Sequence, residues 1–232
     1  MSKGKLAKFA EMKSFSNVLQ PPFEDVFNKE YKLKGKWNTG FFNTPKPVTL
    51  ELGCGKGEYS VGLAKLFPER NFLGIDIKGA RIWKGARQAG IENIRNVGFL
   101  RTRIDFIDSF FAPGEVEEIW ITFPDPQPLK PRKRLTSSRF LNKYKNFLTD
   151  SGWINLKTDS SELYQYTYTL VRHNQLKVDF STDDLYAADY NDQILSIKTF
   201  YERIWLKEGK KIHYIRFNLL GKTIIEEPTN EE

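Results

Sequence analysis

Residues 48–57, Val-Thr-Leu-Glu-Leu-Gly-Cys-Gly-Lys-Gly, constrain this chain more than any other segment. The first five read as a buried strand, and the strand runs directly into Gly53, Gly55 and Gly57. Glycines there let the backbone turn sharply and approach a ligand with no Cβ in the way. Their spacing of two is not the G-x-G-x-x-G dinucleotide fingerprint, and the Lys-Ser/Thr pair of a P-loop is missing. A helix follows over 58–66 and stops before Pro68, then a strand over 71–77 and a helix over 80–89.

The alternation continues. Strands are predicted at 97–101 and 118–123, a helix at 137–148, a strand at 153–156 and a helix at 160–173. The end reads as strand over 175–180, mostly helix over 193–208, and a last strand over 211–220. Strands alternating with helices of this length predict a doubly wound, Rossmann-like α/β sheet, mostly parallel and covered on both faces. The last helix leads straight into an apolar strand, which predicts an antiparallel strand near one edge. Residues 47–222 form this α/β domain, preceded by a basic extension over 1–46 and followed by an acidic tail over 223–232. The extension carries Phe9, Phe15, Phe23, Phe27, Tyr31, Trp37, Phe41 and Phe42, too many aromatics for a free tail, so it is expected to dock on a core.

Composition excludes several classes. A chain of 232 residues buries a core without needing disulfides or metal. Cys54 is the only cysteine, which rules out an intrachain disulfide and agrees with a reducing cytoplasm. With two histidines beside it, no transition-metal site is expected. No apolar run approaches the ~20 residues that span a bilayer, and the basic N-terminus lacks the apolar core of a signal peptide. The net charge of +7 is unevenly placed. Residues 130–145 hold seven bases and no acid, while 226–232 hold four Glu and no base. Clustering of this kind is the footprint of a polyanion binder.

Three more motifs fall where strands of such a sheet end, the edge at which ligands bind. Asp76 closes the second strand, 25 residues after Glu51 and just past Gly74, placed to accept hydrogen bonds from a ribose diol. Phe123-Pro-Asp-Pro-Gln-Pro128 holds Asp125 on a stiff backbone, with Lys130-Pro-Arg-Lys-Arg134 beside it. Bases there can neutralise phosphates while the acid handles the nucleobase. Leu156-Lys-Thr-Asp159 ends the fifth strand, and Thr199-Phe-Tyr-Glu202 lies in the C-terminal helical stretch.

The pattern E-x-G-x-G-x-G followed by G-I-D resembles the class I S-adenosylmethionine-dependent methyltransferases. The resemblance implies that Glu51, Gly53, Gly55 and Asp76 contact S-adenosylmethionine. The ordered set F-P-D-P-x-P-x-K, L-K-T-D, T-x-Y-E and G-K-x-I-x-Y resembles the tRNA (guanine-N(7)-)-methyltransferase family, over about 49–217. That resemblance implies methylation of a variable-loop guanine in tRNA. It implies Asp125 in the active site and against the cofactor, and Asp159, Thr199, Phe200, Tyr201, Glu202 and Lys130 on the guanine. Arg132, Lys133 and Arg134 would contact RNA. The family's D-P-W-P-K-K-R-H pattern is altered: Gln127 replaces Trp, Leu129 replaces the first Lys, no His is present, and the segment is two residues shorter. Lys130 stands in for the lysine absent at 129, and either Arg103 or Asp105 occupies the place of a further cofactor-side acid.

Guanine N7 carries a free lone pair, so no proton need leave before attack, and Asp125 is expected to position and stabilise charge. Cys54, inside the glycine turn, is expected to pack, and His173 and His213 have no partner motif. Two competing readings are an exocyclic-amine methyltransferase and a non-catalytic RNA-binding protein. The first is disfavoured because no aromatic residue follows Asp125-Pro126, the second because a binder has no need of four acids on one edge.

Overall fold

A computed structural model describes residues 3–190, 192–219 and 224–228. Its eight strands form a mostly parallel sheet, and the chain divides into two compact units, 1–112 and 113–232.

The first unit runs α1 (Lys3–Met12), β1 (Val18–Leu19), α2 (Trp37–Gly40), β2 (Val48–Leu52), α3 (Glu58–Leu66), β3 (Asn71–Asp76), α4 (Gly79–Ile91) and β4 (Val97–Arg101). Its strands lie in the order β1-β4-β3-β2, all parallel. Every residue of β2 and β3 is buried, as expected of parallel strands covered on both faces. The N-terminal segment belongs to this unit. Met12 and Trp37 are buried, and the Trp37 indole donates to the carbonyl of Phe110 at 2.8 Å. Trp83 of α4 donates to Glu11 at 2.7 Å, and Asn17 donates to the Ala86 carbonyl at 3.0 Å. The two residues of β1 then add a parallel strand to β4 that no hydrophobic period announced.

The second unit runs β5 (Val116–Thr122), α5 (Ser138–Tyr144), β6 (Leu148–Thr158), α6 (Ser161–His173), β7 (Lys177–Thr182), α7 (Phe200–Lys207) and β8 (His213–Asn218). Strand β5 pairs parallel with β6, while β8 pairs antiparallel with both β6 and β7. The antiparallel strand near one edge is thus present. The mostly helical stretch expected over 193–208 is a 3-10 turn at Gln193–Ser196, an extended link, and α7. Thr199 breaks it. Its backbone is extended, its hydroxyl accepts from the Glu202 amide, and the Glu202 carboxylate accepts from the Thr199 amide, a capping box that starts α7 afresh.

The ends of the expected last strand (residue 220), of the α/β domain (220–222) and of the acidic tail (223, 229–232) lie outside the described residues. Residues 224–228 are docked. Asn142 exchanges hydrogen bonds with both backbone groups of Ile225 at 2.8 and 2.9 Å. Asn174 bonds the Glu226 carbonyl and amide at the same distances, 2.8 and 2.9 Å. The Glu227 carboxylate accepts from the Ser138 amide at the start of α5 and from the Tyr166 hydroxyl.

Candidate active site

In the first unit the site is a backbone turn. The amides of Gly53 and Cys54 donate to the Ile75 carbonyl at 2.8 and 3.1 Å, folding the turn over the end of β3. Gly53, Gly55 and Gly57 have φ of +76°, +54° and +68°, the left-handed region that favours glycine. A Cβ at Gly57 would lie 2.5 Å from the Phe99 ring, so that glycine is required for packing. A Cβ at Gly55 would meet nothing nearer than 3.9 Å, so the space above it is open to a ligand. Asp76 stands beside that space. One carboxylate oxygen accepts from the Gly55 amide at 2.9 Å and the other from the Lys78 amide at 2.7 Å. Each oxygen keeps a lone pair, as a vicinal diol requires.

Glu51 is turned into the protein. One of its oxygens accepts from the Ser60 amide at 2.9 Å and from the Ser60 hydroxyl. Gly57 offers α3 no side-chain cap, so the Glu51 carboxylate supplies the negative charge that a helix N-terminus favours. Ser60 is the partner that motif reading missed. Burial, reinforced by Glu51 and Asp76, pushes the Cys54 thiol well up, so it stays protonated and packs. Arg103 and Asp105 follow β4 and pair with each other at 3.4 Å, the guanidinium also lying over the Phe106 ring. The open turn and its adjacent acid have the space and the free acceptors that the methionine and ribose ends of S-adenosylmethionine would need, and Gly53, Gly55 and Asp76 are the residues that would hold them.

In the second unit the site is built from side chains and strain. Phe123 and Gln127 bracket Pro124-Asp125-Pro126 with φ of +48° and +46°. Left-handed backbone at residues other than glycine costs of order 1–3 kcal/mol each, and such strain gathers at functional sites. Asp125 is exposed, and one of its oxygens accepts from the Gln127 amide at 3.1 Å. The loop is fastened by Arg134. Its Nε donates to the Pro126 carbonyl at 3.0 Å, its guanidinium pairs with Glu162 of α6, and it lies 4.4 Å over the Tyr166 ring. This corrects one expectation: Arg134 is buried and holds the acid's loop, while Lys130, Arg132 and Lys133 remain exposed. The reason is position. Arg134 ends the 3-10 turn Pro131–Lys133 on its inner side, where a bare carbonyl and an acid await it.

The end of β6 and the start of α7 complete this half. Asp159 is half-buried, with Lys210 at 4.0 Å. Phe200 and Tyr201 open α7 as exposed aromatics, their rings 5.5 Å apart and nearly perpendicular. Glu202, which the resemblance put on the guanine, is fully buried. Its carboxylate pairs with Lys157 at 2.7 Å and accepts from the Tyr186 hydroxyl at 2.7 Å. Lys157 is just as buried, and desolvation lowers its affinity for a proton while Glu202 opposes that shift. A lysine inside an apolar strand needs a buried partner, and this signal in L-K-T-D was available from the sequence.

Several known proteins are similar to this chain. Residues 45–215 match the model of a family described as putative methyltransferase. A tRNA (guanine-N(7)-)-methyltransferase of Bacteroides thetaiotaomicron is 50% identical over 231 residues, covering 100% of this chain and 92% of the relative. Among solved structures, the 16S rRNA methyltransferase KamB aligns with a TM-score of 0.58 at 13% identity, covering 75% of this chain and 87% of that one. A variant of a 16S rRNA (adenine(1408)-N(1))-methyltransferase from Catenulisporales acidiphilia, solved with SAM, aligns with a TM-score of 0.55 at 12% identity, covering 84% and 93%. Sheet, glycine turn and strand-end acid together define a class I methyltransferase fold. Within that class, the chain belongs to the tRNA (guanine-N(7)-)-methyltransferase family.

Proposed function

We propose that this protein transfers a methyl group from S-adenosylmethionine to N7 of a guanine in the variable loop of tRNA, forming 7-methylguanosine in the cytoplasm. The observation that carries the reading is Asp125: an exposed acid on a strained loop, with Lys130, Arg132 and Lys133 exposed beside it. A loop held in costly geometry beside free bases suits a polyanion whose nucleobase must be met by a carboxylate.

S-adenosylmethionine supplies, when bound, an electrophilic methyl group on a sulfonium. Asp76 and the Gly53–Gly55 turn orient it through the ribose and methionine ends. Guanine N7 needs no general base, because its lone pair is already free. Methylation leaves the purine ring positive, and the Asp125 carboxylate stabilises that charge as it develops. Asp159, Thr199, Phe200 and Tyr201 grip the guanine, and most of the rate comes from alignment of nucleophile and methyl carbon. Arg132 and Lys133 neutralise phosphates without reading sequence.

The test is methyl transfer from labelled S-adenosylmethionine to unmodified tRNA transcripts, with product nucleosides identified by mass. 7-Methylguanosine is expected, and none on a transcript whose variable-loop guanine is adenine. Methylation of another atom would overturn the substrate reading. An Asp125→Asn variant is expected to lose turnover by ~100-fold, within the range for removing one electrostatic group; unchanged turnover would remove Asp125 from the chemistry.

A further inference from the structure

We propose that Glu227 is a positioning residue: the docked C-terminal segment uses it to fix Arg134, and through Arg134 the loop that carries Asp125. The proposal rests on the reading above that Asp125 meets the guanine. It concerns a part of the chain beyond the family match, which stops at residue 215.

The segment is fixed by its backbone first. Ile225 is buried, and the side-chain amides of Asn142 and Asn174 satisfy the amide and carbonyl of residues 225 and 226. Of the two glutamates held there, Glu226 is exposed and Glu227 is half-buried. Glu227 Oε1 accepts from the Ser138 amide at 3.0 Å and from the Tyr166 hydroxyl at 2.9 Å, and Oε2 lies 2.8 Å from the same hydroxyl. Ser137, at the N-cap of α5, makes no side-chain capping bond, so Glu227 supplies an acceptor that the first turn lacks.

Tyr166 carries this anchorage to the loop. It stands four residues after Glu162 on α6, so the two side chains share one face of the helix. Arg134 is held by both: its guanidinium pairs with Glu162 and lies 4.4 Å over the Tyr166 ring. Glu162 is exposed, and an ion pair open to water holds little by itself. A cation over a half-buried ring gains more, because it is partly desolvated. Burial first, and then the bond to Glu227, raises the proton affinity of the Tyr166 hydroxyl, so it stays a donor to the carboxylate. From this seat Arg134 Nε reaches the carbonyl of Pro126, the residue after Asp125, at 3.0 Å. Four contacts thus run from the C-terminal segment to the acid's loop: Glu227 to Tyr166, Tyr166 to Arg134, Arg134 to Pro126, and Glu227 to the start of α5.

The experiment compares the two neighbouring glutamates in the full chain. Glu227→Ala is expected to lower kcat about tenfold, the scale of a small misplacement of a reacting group, with KM for S-adenosylmethionine unchanged. Glu226→Ala removes the same charge without touching Tyr166 and should leave kcat alone. Glu227→Gln keeps an Oε1 acceptor for both donors and should recover kcat to within about twofold of wild type. A wild-type kcat in Glu227→Ala, equal losses in the two alanine variants, or a Glu227→Gln as slow as Glu227→Ala would each overturn the proposal. Should Glu227→Ala fail to fold, Tyr166→Phe decides, since it keeps the ring and loses only the hydroxyl. Its amide exchange over 125–134 is expected to quicken while exchange over 53–76 stays as in wild type. Unchanged exchange over 125–134 would overturn the proposal. Wild-type protein assayed alongside keeps the two readings apart: absence of 7-methylguanosine there sinks the activity, while exchange in Tyr166→Phe still judges the link from Glu227 to the loop.

Discussion

Each unit carries its own set of candidate site residues, and the two sets are made of different materials. In the first unit the candidate surface is mostly backbone: Gly53 and Gly55 in left-handed geometry, with the Asp76 carboxylate held by two amides. In the second unit it is side chain: an exposed acid on a strained loop, an inward arginine, and a buried lysine–glutamate pair behind two exposed rings. A glycine turn is altered by adding atoms to it, whereas a side-chain site fails when one partner is removed. That difference matches the chemistry of the ligands. A cofactor of fixed shape suits a fixed turn, while a guanine arriving within a large polyanion needs charge and stacking.

The largest effect should come from adding one carbon to the backbone half. Gly57→Ala forces a left-handed alanine and drives its Cβ to within 2.5 Å of Phe99. The cost is roughly 2–4 kcal/mol from strain and overpacking, read as a large fall in Tm. Gly55→Ala has the same backbone sign but open space, so its stability cost is about 1 kcal/mol. Its methyl group would instead stand in the cofactor's space, weakening S-adenosylmethionine binding more than tenfold by calorimetry. Equal Tm losses in the two variants would break the division of labour between these glycines.

A smaller contrast separates two arginines two residues apart. Arg134→Gln should lower Tm by removing the bond to the Pro126 carbonyl and the contact with Glu162, about 1–3 kcal/mol, and should reduce turnover through the Asp125 loop. Arg132→Ala should leave Tm alone and weaken tRNA affinity, with the slope against log salt falling by about 1. If Arg134→Gln changed the salt slope and Arg132→Ala did not, the inward and outward assignments would be reversed.

How far this was legible in the sequence follows the same line. Hydrophobic period and glycine punctuation carry backbone information, so the strand over 48–52, the helix over 58–66 and the turn between them coincide with β2, α3 and the observed loop. The place of Asp76 at the end of β3 was equally readable, because the apolar run over 71–77 stops there. Direction of side chains was not. Arg134 reads as one more base in a basic run, and only the 3-10 turn before it decides that it faces inward. Glu202 reads as a motif acid, yet a capping box and a buried lysine consume it, and a capping box written T-x-x-E was itself a visible reason for 193–208 to break at Thr199. The tie of Glu51 to Ser60 is a contact nine residues apart that no spacing rule marks.

The smallest effect concerns His213, the first residue of β8, which neither set of candidate residues includes. Its ring is buried, stacks on Tyr164 with centroids 5.1 Å apart, and its Nδ1 has no hydrogen-bond partner among the described residues. Burial lowers its proton affinity, Lys211 adds to that, and Asp183 and Asp184 oppose it. The folded protein therefore binds this proton less readily than the unfolded chain, whose imidazole titrates at about 6.5. The sign follows: the stabilisation is complete above about pH 6.5 and is lost as pH falls below it, because the unfolded state takes up the proton first. Melting curves between about pH 8 and pH 5 should show wild type losing stability more steeply than His213→Gln, which has no proton to bind in this range. The variant gives up the Tyr164 stack at every pH, so its curve should lie lower and flatter. Parallel curves would mean that the acid sensitivity of the fold does not arise from His213.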